Sequence, residues 1–163
     1  MTDVREGLER ILEKKTCVVG MGNVLRGDDG VGARIAERLT ETSPLPAGLT
    51  VVNAEDVLES WVFPIAESDS ANVLLVDAVR GAGAPPGSLV LGKVDEIEAP
   101  ASDFSTHKLA LSTAAGVLAG HGKTVYLLGI VPASTDYGDP MSDEAMESAD
   151  AVVDWIRTAR SRT

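Results

Sequence analysis

The stretch "VVGMGNVLRGDDGVGARIAERL", residues 18–39, decides the reading of this chain. An apolar run leads into Gly20-x-Gly22, then a polar loop, then apolar positions at Val31, Ile35, Ala36 and Leu39. That order predicts strand, tight turn and helix, the opening unit of an α/β sheet. The glycines invite a dinucleotide. The fingerprint for that ligand needs a third glycine three residues after the second, and Leu25 stands there. Asp28 and Asp29 weigh further against it. Two carboxylates at a helix start already hold the position that the helix dipole offers an anion, and they would repel a pyrophosphate. One of them reads simply as a helix cap. Capping accounts for one aspartate well and for two less well.

Working outward, the same periodicity rules place the other elements. Val4, Leu8, Ile11 and Leu12 predict a helix over residues 3–15. "SPLPAG" (43–48) is a loop, "LTVVNAE" (49–55) a strand and "DVLESWVFPIAE" (56–67) a further helix. "NVLLVDA" (72–78) is an apolar run of the kind found inside a parallel sheet. "SLVLGKV" (88–94) follows it too closely for a helical crossover, so it runs antiparallel to that strand or lies at an edge. A loop (96–106), a helix from His107 to Gly120, a strand (123–132) and a C-terminal helix capped by Ser142 complete the chain. The fold class is α/β: three layers, a mostly parallel five-stranded sheet flanked by helices, with 89–94 the antiparallel strand. Residues 1–163 form one domain, with 1–15 as an N-terminal helical extension.

Composition narrows the function classes. Hydrophobic content of 44% and charged content of 24% fit a soluble globular protein. The net charge of −11, from 14 basic and 25 acidic residues, argues against nucleic acid and favours a partner with a basic face. The single cysteine, Cys17, allows no internal disulfide. There is no secretory leader and no apolar run of membrane-spanning length, which points to a cytoplasmic protein that stays off the membrane. A monomer is expected.

Open parallel sheets bind ligands at the carboxyl ends of their strands. The residues to read are therefore Asn23 to Asp29, Asn53 to Asp56, Asp77, and Pro132 to Tyr137, with His107 added if its helix starts at that edge. Two carboxylates and an imidazole there suit a divalent transition metal with open positions. Such a metal lowers the pKa of a bound water or polarises a carbonyl. Bland readings compete: Asp77 as the brace of a turn, His107 as a surface residue. His121, between Gly120 and Gly122 at a helix end, fits the surface reading. Cys17 at the start of a buried strand reads as core, and Ser105 and Ser134 lack a nucleophile-elbow pattern.

"GMGNVLRGDDGVG" resembles the signature loop of the hydrogenase maturation endopeptidases, G-x-G-N-x-L-x-x-D-[DE]-x-x-G. "LLVDA", "STHKLAL" and "LLGIVP" resemble later segments of that family in the same order, so the resemblance runs over about residues 16–158. It implies an endopeptidase that clips a C-terminal extension from the large-subunit precursor of [NiFe] hydrogenase after nickel insertion. It also implies that Asp29, Asp77 and His107 contact the metal. The metal is nickel borne by the substrate, or another divalent metal in its place. Asn23 matches a loop-shaping position, and Asp28 a structural neighbour of the first ligand. One departure is "NAEDVLES" after the second strand, where many relatives carry a glycine-rich stretch. Glu55 there adds a carboxylate that reads as a further polar ligand, a specificity contact or a cap; Asp28 or Glu55 is also a candidate base. Two other readings keep the fold: a non-cleaving, metal-binding escort of the precursor, and a stand-alone zinc hydrolase.

Overall fold

Strands β1 (Thr16–Met21) and β3 (Asn72–Ala78) are buried at every position. Apolar strands covered on both faces behave this way, and they form the middle of the molecule. The computed structural model describes residues 3–41, 44–80, 83–96 and 108–159. Five strands form one sheet in the order β2-β1-β3-β5-β4, with β2 Leu49–Glu55, β4 Leu89–Lys93 and β5 Thr124–Ile130. All neighbours are parallel except β4 and β5.

Alternation along the strands divides the core in two. Val18, Leu74, Val76, Leu128 and Ile130 face the layer made by α1 (Val4–Ile11), α2 (Val31–Glu41) and α5 (Asp143–Ala159). Cys17, Val19, Val73, Leu75 and Leu127 face the other layer, made by α3 (Val62–Glu67) and α4 (Lys108–Gly120). The N-terminal helix is part of the packed core. Asp3 caps it, accepting from the Arg5 N–H at 3.1 Å, and Leu8 and Ile11 join the first cluster. No described helix is long and apolar enough to cross a membrane.

One expectation changes and one alternative is settled. The helix read over 56–67 is broken: a 3-10 turn covers Leu58–Ser60, and α3 begins only at Val62. Pro64 is the cause. It has no N–H for the carbonyl of residue 60, and its ring crowds that carbonyl, so a helix is tolerated only if Pro64 lies in its first turn. Of the two readings of β4, the edge is the one found: it is antiparallel, and its neighbour is β5 and not β3. It lies at the edge, with Leu89 opposite Ile130. The chain leaving β3 crosses the end of β5, where the Val79 N–H donates to the Ile130 carbonyl and the Gly87 N–H to the Val131 carbonyl. The seat beside β3 belongs to β5, which α4 delivers there by crossover.

This topology locates a crevice. From β1 the chain goes to β2 on one side, then returns to β3 on the other. The carboxyl ends of β1 and β3 therefore flank the point where the winding reverses, the usual ligand position in such sheets.

Candidate functional site

The loop from β1 to α2 sits at that crevice and is held by close backbone packing. Gly22 has φ 118, and a Cβ there would lie 1.7 Å from the Asp29 carbonyl oxygen. Only glycine lets the loop close on itself so tightly. Gly32 lets α2 dock on the sheet: a Cβ would lie 2.1 Å from the Val76 carbonyl oxygen and 2.6 Å from that of Met21. Asp29 precedes Gly32 by three residues, and Asp77 follows Val76. One close contact thus sets both carboxylates at the same switch point.

The adjacent aspartates have different jobs. Asp28 is 1% exposed and accepts three hydrogen bonds. Its Oδ1 takes the Ser142 N–H at 2.7 Å, and its Oδ2 takes the Ala133 N–H at 2.8 Å and the Ser142 hydroxyl at 2.7 Å. The Ser142 Oγ in turn accepts from the Ala145 N–H at 3.2 Å, capping α5. Asp28 is thus a clasp joining the first loop, the loop after β5 and the positive end of α5. Both oxygens serve this clasp, and the residue is buried, so of the two candidate bases Glu55 is the exposed one. Asp29, 4% exposed, accepts from one donor among the described residues, the Asn23 N–H, at 3.0 Å on Oδ2. Its Oδ1 has no donor among the described residues. Asn23 closes the loop locally, its Oδ1 accepting the Leu25 N–H at 2.9 Å.

Asp77 ends β3 opposite Gly129 and is fully buried. Its Oδ1 accepts the Ala78 N–H at 2.9 Å. His107, the third expected donor, lies outside the described residues, as do Ser105 and nearly all of the loop read over 96–106. α4 starts at Lys108 and runs antiparallel to β5, so its first turn is at the same edge. Among the described residues, no three His, Cys, Asp or Glu side chains gather as a metal site.

Around the pair, several readings sharpen. β2 ends at Glu55 through a bulge, since Gly20 faces Asn53 while Met21 faces Glu55. Glu55 is exposed, has φ 50, and its carbonyl accepts the Gly22 N–H at 2.9 Å. It is the one described non-glycine residue in left-handed backbone, where glycine is the unstrained choice. Cys17 is buried, and that burial pushes its thiol pKa up, against smaller lowering effects of Thr50 and Lys123. A protonated core thiol is no nucleophile. Ser134 Oγ donates to Asp139 at 2.7 Å, so it shapes its own turn. His121 Nδ1 meets the Val117 carbonyl at 2.9 Å, at the far end of α4.

Sequence reasoning passed over two cations here. Arg26 Nε donates to the Thr135 carbonyl at 3.2 Å, and Arg80 Nη2 to the Thr135 hydroxyl at 3.3 Å. The available signal was spacing: Arg26 precedes Asp29 by three residues, and Arg80 follows Asp77 by three.

Fold and site together define a doubly wound α/β protein with two buried carboxylates at its switch point. Comparison with known proteins gives that class a family. The model for "Hydrogenase maturation protease" matches residues 33–159. The hydrogenase expression/formation protein HupD of Rhodobacter capsulatus is 30% identical over 155 residues, covering 91% of this chain and 72% of that protein. The crystal structure of the [NiFe] hydrogenase maturation protease HycI from Thermococcus kodakarensis superposes with a TM-score of 0.78 at 25% identity, covering 95% of this chain and 99% of that one. The hydrogenase maturating endopeptidase HybD from E. coli shares the fold, with a TM-score of 0.74 at 20% identity over 91% of this chain and 93% of that one. The chain belongs to the hydrogenase maturation protease family.

Proposed function

We propose that this protein is an endopeptidase that removes a C-terminal extension from the large-subunit precursor of a [NiFe] hydrogenase once nickel is in place. In this reading it recognises the substrate's nickel through Asp29, Asp77 and His107. The observation that carries the proposal is the buried pair Asp29 and Asp77 at the switch point of a chain in this family. The donor chemistry fits, since imidazole and carboxylate both suit divalent metals of this kind. Asp29 fits as well, with one oxygen fixed by Asn23 and the other without a donor among the described residues. The metal, nickel or another divalent ion in its place, supplies Lewis-acid polarisation when engaged.

The chain's own residues position and exclude. The Asn23 N–H fixes the orientation of Asp29, and the Asp28 clasp holds the loop that carries it. Cys17 and Ser134 are spoken for elsewhere, so water is the attacking group in this reading. Of Asp28 and Glu55, the candidate bases for that water, Glu55 is the exposed one. The partner is the precursor, met in the cytoplasm by a monomeric protease.

The test is processing of a nickel-loaded precursor by Asp29→Asn, Asp77→Asn and His107→Ala, read as the mass lost from the precursor. Each variant should slow cleavage by at least about 100-fold, in line with loss of a metal-orienting group. Full-rate cleavage by all three would overturn the site. Precursor binding without cleavage by the unaltered protein would favour an escort. Stoichiometric zinc after dialysis would favour a stand-alone zinc hydrolase.

A further inference from the structure

The crevice carries two guanidinium groups that the metal reading leaves without a task. Arg26 and Arg80 are exposed, in a chain where acidic residues outnumber basic ones 25 to 14. Neither makes an ion pair among the described residues, although Arg5, Arg34 and Arg38 do so elsewhere on the surface. Among the described residues, no ion pair joins either of them to Asp28 or Asp29. Both are tethered to the same residue, Thr135, through one nitrogen each. A guanidinium has five N–H donors. The tether takes Nε of Arg26 and one Nη2 donor of Arg80, which leaves donors on both forks for a ligand.

The surroundings indicate a peptide. Leu25, beside Arg26, is 57% exposed, and Tyr137, two residues past Thr135, is 76% exposed. The two strips of chain are stitched together, the Gly138 N–H donating to the Leu25 carbonyl at 2.8 Å. The result is a paired cation flanked by exposed apolar side chains, on backbone that hydrogen bonds already hold. Arginine and tyrosine are the residues that most often anchor protein contacts. A tethered fork binds a planar carboxylate in bidentate fashion with less entropy lost than a free one.

We infer that Arg26 and Arg80 form a carboxylate clamp that holds the C-terminal segment of the precursor beside the scissile bond. The ligand is a carboxylate of that segment, either its terminal α-carboxylate or an acidic side chain next to an apolar residue. Leu25 and Tyr137 hold the apolar part. The clamp rests on the proposed function for its occupant. It adds to that reading a determinant that recognises the segment to be removed, where the metal donors recognise the mature centre.

The experiment measures precursor binding and cleavage separately, using the full chain and the nickel-loaded large-subunit precursor from the same genome. Arg26→Gln and Arg80→Gln should each weaken precursor binding about tenfold, the size expected for one charge-assisted pair. Cleavage at saturating precursor should stay within about threefold, because the clamp does not touch the reacting atoms. Synthetic peptides of the extension then identify the carboxylate by competition. Loss of competition on C-terminal amidation assigns the α-carboxylate, and loss on Glu→Gln or Asp→Asn within the peptide assigns a side chain. Whichever change matters should have no further effect on Arg26→Gln or Arg80→Gln. Unfolding curves that match the unaltered protein exclude a folding defect. Unchanged binding by both variants, with cleavage intact, overturns the clamp and spares the protease reading. Arginine-dependent binding with no cleavage does the reverse. No binding at all overturns both.

Discussion

Asp28 and Asp29 are neighbours of the same type, and exchanging each for asparagine should have opposite consequences. Asp28→Asn keeps the shape of the clasp and removes its charge. An amide has one acceptor oxygen. If that oxygen takes the Oδ2 position, it keeps the Ala133 N–H and the Ser142 hydroxyl, but the NH2 group then faces the Ser142 N–H. If the amide flips, the NH2 group faces the Ala133 N–H. Either way a buried N–H loses its acceptor, at about 1–3 kcal/mol. The bonds that survive lose their charge assistance, roughly half their strength. The sum is about 3 kcal/mol, which for a chain of this size lowers Tm by about 10 °C. In Asp29→Asn, the side-chain carbonyl can still accept the single Asn23 N–H, so stability should fall by less than about 1 kcal/mol. Precursor cleavage, by contrast, should be lost in Asp29→Asn. The assay is urea unfolding followed in parallel by Trp61 and Trp155 fluorescence and by far-UV circular dichroism, alongside the cleavage assay. The reasoning fails if Asp28→Asn unfolds within about 0.5 kcal/mol of the unaltered chain, or if Asp29→Asn is the less stable of the two.

Two further outcomes are expected. Burial raises the Cys17 pKa above its ordinary 9.0, so the unfolded chain releases this proton first. The stability linked to it is complete below pH 9.0 and declines as pH rises through the folded-state value; urea midpoints across that range should fall, and Cys17→Ala should flatten the decline. Glu55→Gly relieves left-handed backbone at φ 50 and should raise stability by about 1 kcal/mol, read as a shift in urea midpoint; a lower midpoint would show that the Glu55 side chain stabilises the end of β2 by more than its backbone strain.

What could be read along the chain is what local periodicity encodes. The strand at 72–78 ends where its apolar run ends, at Asp77–Ala78. The turn from β1 into α2 follows from glycines at positions that a Cβ would close, and the Ser142 cap follows from residue type before an acidic first turn. These signals act over a few residues, so one sequence displays them. That the loop carrying Asp29 and the strand end carrying Asp77 share one edge was also legible, because adjacent parallel strands align their carboxyl ends.

The sequence left open everything that depends on a distant partner. Asp28 and Asp29 look interchangeable in "GDDG"; they separate only because the donors that claim Asp28 lie 105 and 114 residues away, at Ala133 and Ser142. The pairing of β4 depended on which strand already occupied the place beside β3. Nothing in the sequence relates Arg26 to Arg80; they meet through Thr135, which accepts from both. Residue type and spacing thus determined the elements and the edge where chemistry belongs. Tertiary structure decided which carboxylate braces, which stays available and what stands beside it, because a side chain's role is set by the donors and charges that folding brings within about 3 Å of it.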